Sequence, residues 1–435
     1  MSNAATVYRE KLKSAEQAVA DIADGALFAH AFGLNEPIAT FWALETRLRI
    51  GDLKKLRVFG GVASLAAMES ILASDLADRV EPISMFVGAA ERGMVSTGLH
   101  AYLPNHLHQL PRLIREHLAI DVMALTVTPM DRAGYFNFGL ANGFCAAAVR
   151  SAKQLIVEVN EGMPRIHGDG YVHVSEVNAI VERPEPLVDP PAVPLDPLDD
   201  EIARRIAALV PDGATLQIGI GGLPDAVCRY LADRRDLGIH TELFGQGLID
   251  LVRSGAANGS RKNFHPGRHV FTFASGNREA REFLNDNPAM ESRSVDYTNR
   301  PSIIAANDGM VSINSILQVD LSGQANAESL GGHQFSGSGG QLDFVRGAYD
   351  SNGGKSILAL QSTAQRGTVS RIVPRLPEGS VVTTPRNDMH HLATEFGVAN
   401  LKGKTTRERA LAIIELAHPR FRDELLRAAE DMYIV

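Results

Sequence analysis

Cysteine is nearly absent: the 435 residues include two, Cys145 and Cys228. They lie far apart and have no partners at metal-ligand spacing. A disulfide framework and a thiolate zinc centre are therefore excluded, and each thiol reads as a small buried residue. No stretch reaches the roughly 18 apolar residues that a membrane-spanning helix needs. Met1 to Ser14 also lacks an apolar core of signal-peptide length. A cytoplasmic protein without a membrane partner is expected. An excess of positive charge is missing too, with 43 Lys and Arg against 51 Asp and Glu and a net charge of -8. That balance argues against a nucleic-acid surface, which needs clustered cations. It leaves room for a local basic pocket for an anionic small molecule. His100, His106, His108 and the pair His390-His391 find no carboxylate or thiolate at ligand spacing, so no metal is expected.

What is present describes an ordinary soluble enzyme-sized chain, with 45% apolar and 22% charged residues, long enough for two or three domains. Pro184, Pro186, Pro190, Pro191, Pro194 and Pro197 crowd one short span. Proline fixes φ and removes backbone donors, so the span reads as an extended connector. It divides an amino-terminal domain, residues 1–183, from a carboxyl-terminal domain, residues 201–435, with the linker at 184–200. In both halves, β-branched runs such as Leu155 to Val159 and Val381 to Thr384 alternate with Ala/Leu-rich amphipathic stretches. That grammar predicts two similar α/β domains with largely parallel sheets. Thr405-Thr406-Arg407-Glu408 is a capping-box pattern opening a terminal helix.

The second half is rich in glycine turns. Ala214 to Ile218 reads as a strand, Gly219-Ile220-Gly221-Gly222-Leu223-Pro224 as a turn, and Asp225 to Leu231 as a helix start. Such a turn exposes backbone N–H groups at a positive dipole end, suited to a phosphate or a developing oxyanion. It equally serves as a tight connection needing φ > 0, and the residues alone leave both open. Further turns occur at Gly337-Ser338-Gly339-Gly340 and Gly353-Gly354-Lys355-Ser356. The three together suggest a surface that a long, thin ligand approaches closely. Between the first two stands Glu242, beside Gly245 and Gly247. By itself a glutamate there is more often solvated or salt-bridged than catalytic.

These residues carry a resemblance. Gly33-Leu34-Asn35-Glu36-Pro37, Thr128-Pro129-Met130-Asp131 with Gly134-Tyr135-Phe136, and Val157-Glu158-Val159-Asn160 come in that order. Gly219-Ile220-Gly221, His240-Thr241-Glu242 and Ser312-Ile313-Asn314-Ser315 follow. Gly339-Gly340-Gln341-Leu342-Asp343-Phe344, Thr394 to Ala399 and Ala417-His418-Pro419 complete the series. In this order over essentially the whole length, the chain resembles the acetyl-CoA hydrolase/transferase family, within it the 4-hydroxybutyrate or butyrate CoA-transferase branch. The resemblance implies a nucleophile at Glu242. It implies oxyanion-hole amides at Ile220 and at Gly339 or Gly340, and coenzyme A lying along Gly219, Ile220, Gly221, Gly222, Leu223 and Gly340. Asn299 fits the asparagine that touches the pantetheine arm. Lys355 is a candidate for a CoA phosphate or a substrate carboxylate, against an ordinary surface lysine. His30, Asn35 and Glu36 are candidates for an acyl pocket. Relatives often carry Ser-Asp where this chain has Gly245-Gln246, which leaves the acid open.

The implied activity is transfer of CoA between acyl-CoA and short carboxylic acids by a homo-oligomer. Acetate, butyrate, 4-hydroxybutyrate, succinate and itaconate all remain candidates. A hydrolase using the same glutamate, and a non-enzymatic CoA or metabolite sensor, are the alternatives.

Overall fold

The computed structural model describes residues 4–189, 196–219 and 221–435. The chain divides into two compact units. One comprises residues 1–190, 272–296 and 334–337, the other 191–271, 297–333 and 338–435. The division falls inside the proline-rich span, of which residues 190–195 lie outside the described residues. The span is shorter than the sequence suggested. A helix begins at Pro197, with the Asp196 side chain accepting from the Leu198 N–H at 2.8 Å. Proline suits that first helical position because its missing N–H has no partner to lose.

In the first unit the strands of the main sheet are β1 (Leu27–His30), β2 (Leu56–Gly60), β3 (Val80–Ser84), β4 (Ala101–Tyr102), β5 (Val122–Val127), β6 (Gln154–Val159) and β7 (Ala179–Glu182). They form one sheet in the order β7-β6-β5-β1-β2-β3-β4, every pairing parallel. A parallel sheet is covered on both faces, and successive residues divide accordingly. Leu27, Ala29, Met123 and Leu125 enter one apolar cluster, while Phe28, Val122, Ala124 and Ile156 enter another.

The Val157-Glu158-Val159-Asn160 motif is structural here. Glu158, fully buried on β6, accepts from the Thr40 N–H at 2.6 Å and the Thr40 hydroxyl at 2.8 Å. It thereby caps the first turn of α1 (Ile38–Ile50), where a carboxylate is favoured by free N–H groups and the helix dipole.

The second unit holds β8 (Thr215–Ile218), β9 (Gly238–Phe244), β10 (Met310–Ser315), β11 (Lys355–Ala359), β12 (His391–Thr394) and β13 (Gly397–Asn400). They lie in the order β13-β12-β11-β10-β8-β9, parallel throughout except for the β12–β13 hairpin. Its helices include α2 (Pro197–Ala207), α3 (Gly222–Tyr230), α4 (Gln246–Arg253), α5 (Gln341–Asp350), α6 (Thr406–Glu415) and α7 (Pro419–Asp431). Leu342 and Val345 of α5 pack with Leu358, Leu392, Ile413 and Leu425. The capping box opens α6 as expected, with Thr405 and Glu408 each accepting the other's backbone N–H.

One strand expectation fails. Residues 381–384 form no strand; a single bridge links Thr384 to Ala325, and Val381 and Val382 are about 40% exposed. β-branched composition alone does not make a strand: Thr383 and Thr384 are buried and bond the backbone of Ala325, but the pairing extends no further along the segment.

Candidate functional site

The second sheet changes direction at β8, which has β9 on one side and β10 on the other. In open α/β sheets, loops after such a switch point diverge and leave a crevice at the carboxyl ends of the strands. The glycine turn follows β8 at this place, and α3 starts from it. Gly219 donates its N–H to Ile313 O on β10 at 2.9 Å. Gly221 has φ 123 and ψ -179, a region essentially closed to residues with a Cβ. Ile220 lies outside the described residues. Leu223 is 5% exposed and lies in the first turn of α3.

Glu242 stands near the carboxyl end of β9, next to β8. Strand alternation puts His240 and Glu242 on one face and Thr241 on the other. The two same-face residues engage consecutive residues of one segment. His240 Nε2 donates to Thr298 O at 2.8 Å, and Asn299 Nδ2 donates to Glu242 Oε2 at 2.6 Å. Burial, aided by the Lys262 charge, pushes the His240 ring down to about 3, so it is a neutral, orienting imidazole rather than a charge partner. Asn299 is completely buried.

A second N–H reaches the same carboxyl from Gly340, the residue before α5. A Cβ on Gly340 would overlap both Glu242 Oε2 and Asn299 Nδ2. Glycine is required there because the backbone itself lies against the carboxyl. Gly339 precedes it in the same turn and is half-buried.

Burial raises the Glu242 carboxyl from 4.5 to about 7, and the nearby Asp343 charge adds to the rise. The Asn299 and Gly340 hydrogen bonds oppose it. Glu242 is nevertheless only half-buried as a residue. Its carboxyl is thus enclosed enough to lose hydration, within a residue that keeps some accessible surface. A desolvated carboxylate with an ordinary-pH titration point and fixed N–H donors is equipped to act as a nucleophile.

The structure thus brings together Glu242, Asn299 and Gly340, with the Gly219–Gly222 turn on the adjoining strand end. It does not bring Lys355 to them. Lys355 opens β11, at the opposite, amino edge of the same parallel sheet, and donates to Leu209 O at 3.2 Å. The Gly353-Gly354 turn is at that edge too, so two of the three glycine turns share the carboxyl edge and one does not. Gln246 bonds Asp250 at 3.0 Å within α4.

In the first unit, His30, Asn35 and Glu36 follow or end β1 and are all buried. His30 Nδ1 donates to Ala31 O at 2.7 Å, Asn35 Nδ2 to Thr126 O at 2.8 Å, and Ser64 N to Glu36 Oε1 at 3.0 Å. Burial raises Glu36 to about 7. His100 is held by Glu91 at 3.1 Å. Among the described residues, no group of three or more His, Cys, Asp and Glu is placed to hold a metal ion.

Sequence reading assigned no role to His240 or Asp343, although both stand inside motifs quoted above. Asp343 is 3% exposed in the first turn of α5. The available signal was a charged residue in an otherwise apolar and glycine-rich stretch.

Comparison with known proteins agrees over the whole length. Residues 1–191 match the acetyl-CoA hydrolase/transferase N-terminal domain, and residues 276–429 the corresponding C-terminal domain. A succinyl-CoA:cyclohexane-1-carboxylate CoA transferase of Geobacter metallireducens is 43% identical, over 98% of this chain and 96% of the relative. A 4-hydroxybutyrate coenzyme A transferase of Clostridium kluyveri is 42% identical, over 97% of each. The crystal structure of RipA from Yersinia pestis superimposes with a TM-score of 0.95 at 49% identity, covering 99% of this chain and 100% of that one. With both domain models matched and the fold shared end to end, the chain belongs to the acetyl-CoA hydrolase/transferase family.

Proposed function

We propose that the chain is a CoA-transferase that moves CoA between short carboxylic acids through a thioester on Glu242. The observation that carries this reading is the Glu242 carboxyl held by the Asn299 and Gly340 N–H donors beside a glycine turn. Support comes also from the relatives, whose names are those of CoA transferases.

The Glu242 carboxylate attacks the donor thioester carbonyl, giving a mixed anhydride and CoA thiolate. The thiolate then attacks the glutamyl carbonyl, forming glutamyl-CoA and releasing the donor acid as its carboxylate. The acceptor acid reverses both steps, so exchange is nearly thermoneutral and kinetics are ping-pong. In the second step the negative charge develops on the glutamyl oxygen itself. Asn299 Nδ2–H and the Gly340 N–H already sit on that carboxyl, which makes them the oxyanion donors for this step. Each such donor is worth about 3–4 kcal/mol of barrier. The Gly219–Gly222 turn and Gly339 are left to receive the substrate carbonyl in the first step.

Candidate acids are acetate, butyrate, 4-hydroxybutyrate and succinate. Because the family also includes hydrolases, water as acceptor is the second reading. The test is mass spectrometry of protein incubated with acyl-CoA and trapped with borohydride, alongside Glu242→Ala. A modified Glu242 peptide is expected, absent in the variant. Equal acyl-CoA consumption with and without acceptor acid would instead identify a hydrolase, and an unaltered rate in Glu242→Ala would remove the covalent mechanism.

A further inference from the structure

One motif that carries the family resemblance has no role in the reading above: Ser312-Ile313-Asn314-Ser315. Its asparagine pairs with Gln217 of β8 in a ring of two hydrogen bonds. Gln217 Nε2 donates to Asn314 Oδ1 and Asn314 Nδ2 donates to Gln217 Oε1, both at 3.0 Å. Gln217 is 3% exposed. Each amide supplies the donor and the acceptor that the other needs, without any charge.

The pair lies where β8 leaves the sheet. Backbone pairing of β8 with β10 ends at Ile218 opposite Ile313, and the Gly219 N–H then donates to Ile313 O at 2.9 Å. β10 itself runs on, paired with β11 through Ser315. Asn314 is therefore on the strand that stays fixed, and Gln217 on the one about to turn away. Thr215 is opposite Gly238, and Gln217 opposite Ser312. By strand alternation, Gln217 and Asn314 share the face that bears His240 and Glu242. The turn leans on the same amide, since a Cβ on Gly219 would come within 3.1 Å of Asn314 Oδ1. Beyond that contact the backbone passes through Gly221 at φ 123 and enters α3, with the Asp225 N–H donating to Gly221 O at 3.2 Å.

We propose that the Gln217–Asn314 amide pair is a positioning strut that fixes the Gly219–Gly222 turn relative to Glu242. The inference rests on the transferase reading above, in which that turn receives the substrate carbonyl in the first step. Neither residue touches the reacting groups; both act through the turn. Stability alone gives no reason for amides here. Their mutual bonds roughly offset the hydration they lose, and two apolar side chains of similar shape would serve the sheet about as well. What apolar side chains lack is direction. A ring of two hydrogen bonds sets both the spacing and the rotation of the two strand ends, whereas apolar contacts slide. Neutrality matters as well, because a charged pair on this face would shift the titration of the Glu242 carboxyl.

The test is Gln217→Leu, Asn314→Leu and the double variant, read by steady-state kinetics with acyl-CoA and by melting temperature. A misplaced turn acts on the transition state. The values of kcat and kcat/KM should therefore fall together, on the order of 10–10²-fold, with KM for acyl-CoA little changed. Each single variant leaves one buried amide without its partner and should melt lower. The double variant leaves none, so its melting temperature should recover toward wild type while kcat stays as low as in either single variant. A merely structural pair would not separate turnover from stability in this way. The double variant also keeps the experiment decisive if a single variant does not fold.

A folded double variant whose kcat recovers in step with its melting temperature overturns the proposal, since that marks a packing role. So does a raised KM with kcat intact, which marks binding alone. Single losses that multiply in the double variant would show two residues acting separately, and no strut. Thioester trapping on wild-type protein tests the transferase reading by itself: an unmodified Glu242 there sinks that reading, whatever the leucine variants do.

Discussion

Asn299 reaches Glu242 with a 2.6 Å hydrogen bond from a fully buried position, donating to an oxygen that the Gly340 backbone also crowds. The bond has two consequences. It fixes the carboxyl rotamer, and it stabilises the ionised form against the burial that would otherwise keep it protonated. The same donor is on hand when that oxygen later carries the tetrahedral charge.

Asn299→Ala removes the donor and is expected to lower kcat about 10²–10³-fold. The hydrogen bond holds the Glu242 pKa down, so its loss should move the acid limb of kcat/KM to higher pH. Steady-state rates across pH 5–9 read both effects; a limb that moves down, or stays with kcat intact, contradicts the assignment.

Gly340→Ala places a methyl where Glu242 Oε2 and Asn299 Nδ2 now lie. Displacing the nucleophile by about 1 Å should cost on the order of 10²-fold in rate. Circular dichroism and the melting temperature should show a folded protein, so that the loss reads as misplacement. Near wild-type kcat in this variant would mean that the carboxyl is not held where the structure shows it.

Activity itself should titrate. Glu242 must be ionised to attack, and its carboxyl sits at about 7. The rate constant kcat/KM should therefore climb as pH rises through neutrality and level off above about 8. A flat profile from pH 5.5 to 8 would indicate an unperturbed carboxylate.

Stability should run the other way. Glu242 has a raised folded pKa, so between 4.5 and about 7 the native state holds more proton than the unfolded chain. Its contribution is complete below the unfolded value and is lost as pH rises through the folded value. Glu242→Gln carries no charge to bury and should be the more stable protein at pH 8, by on the order of 1–3 kcal/mol. At pH 5 the gap should nearly close. Urea melts at the two pH values measure it; a less stable glutamine variant at pH 8 would argue against a costly native carboxylate.

Much of the local structure was legible from short stretches. The β-branched run at 155–159 and the capping box at Thr405 and Glu408 depend on near neighbours, and both form; after β8 the helix α3 begins at Gly222, three residues earlier than the sequence suggests. Residues 381–384 have the same composition as a strand but meet a sheet neighbour only at Ala325, and stay irregular apart from that bridge. The connector ends earlier than the prolines suggest because Pro197 is as well suited to a helix's first turn as to an extended chain.

The sequence by itself determined the residue types: a glutamate among glycines, an asparagine beyond it, and a Gly-Gly turn opening a helix. Strand order decided their meeting. Glu242 and Asn299 are 57 positions apart, and Gly340 lies farther still along the chain. No local preference joins them; packing of β9 beside β8 and the entry of α5 at the carboxyl edge do. The same packing sent Lys355 to the other edge, because a parallel strand starts where its neighbours start. Enclosure of the Glu242 carboxyl likewise depends on the whole surrounding fold, and it sets what that carboxylate costs and what it can do.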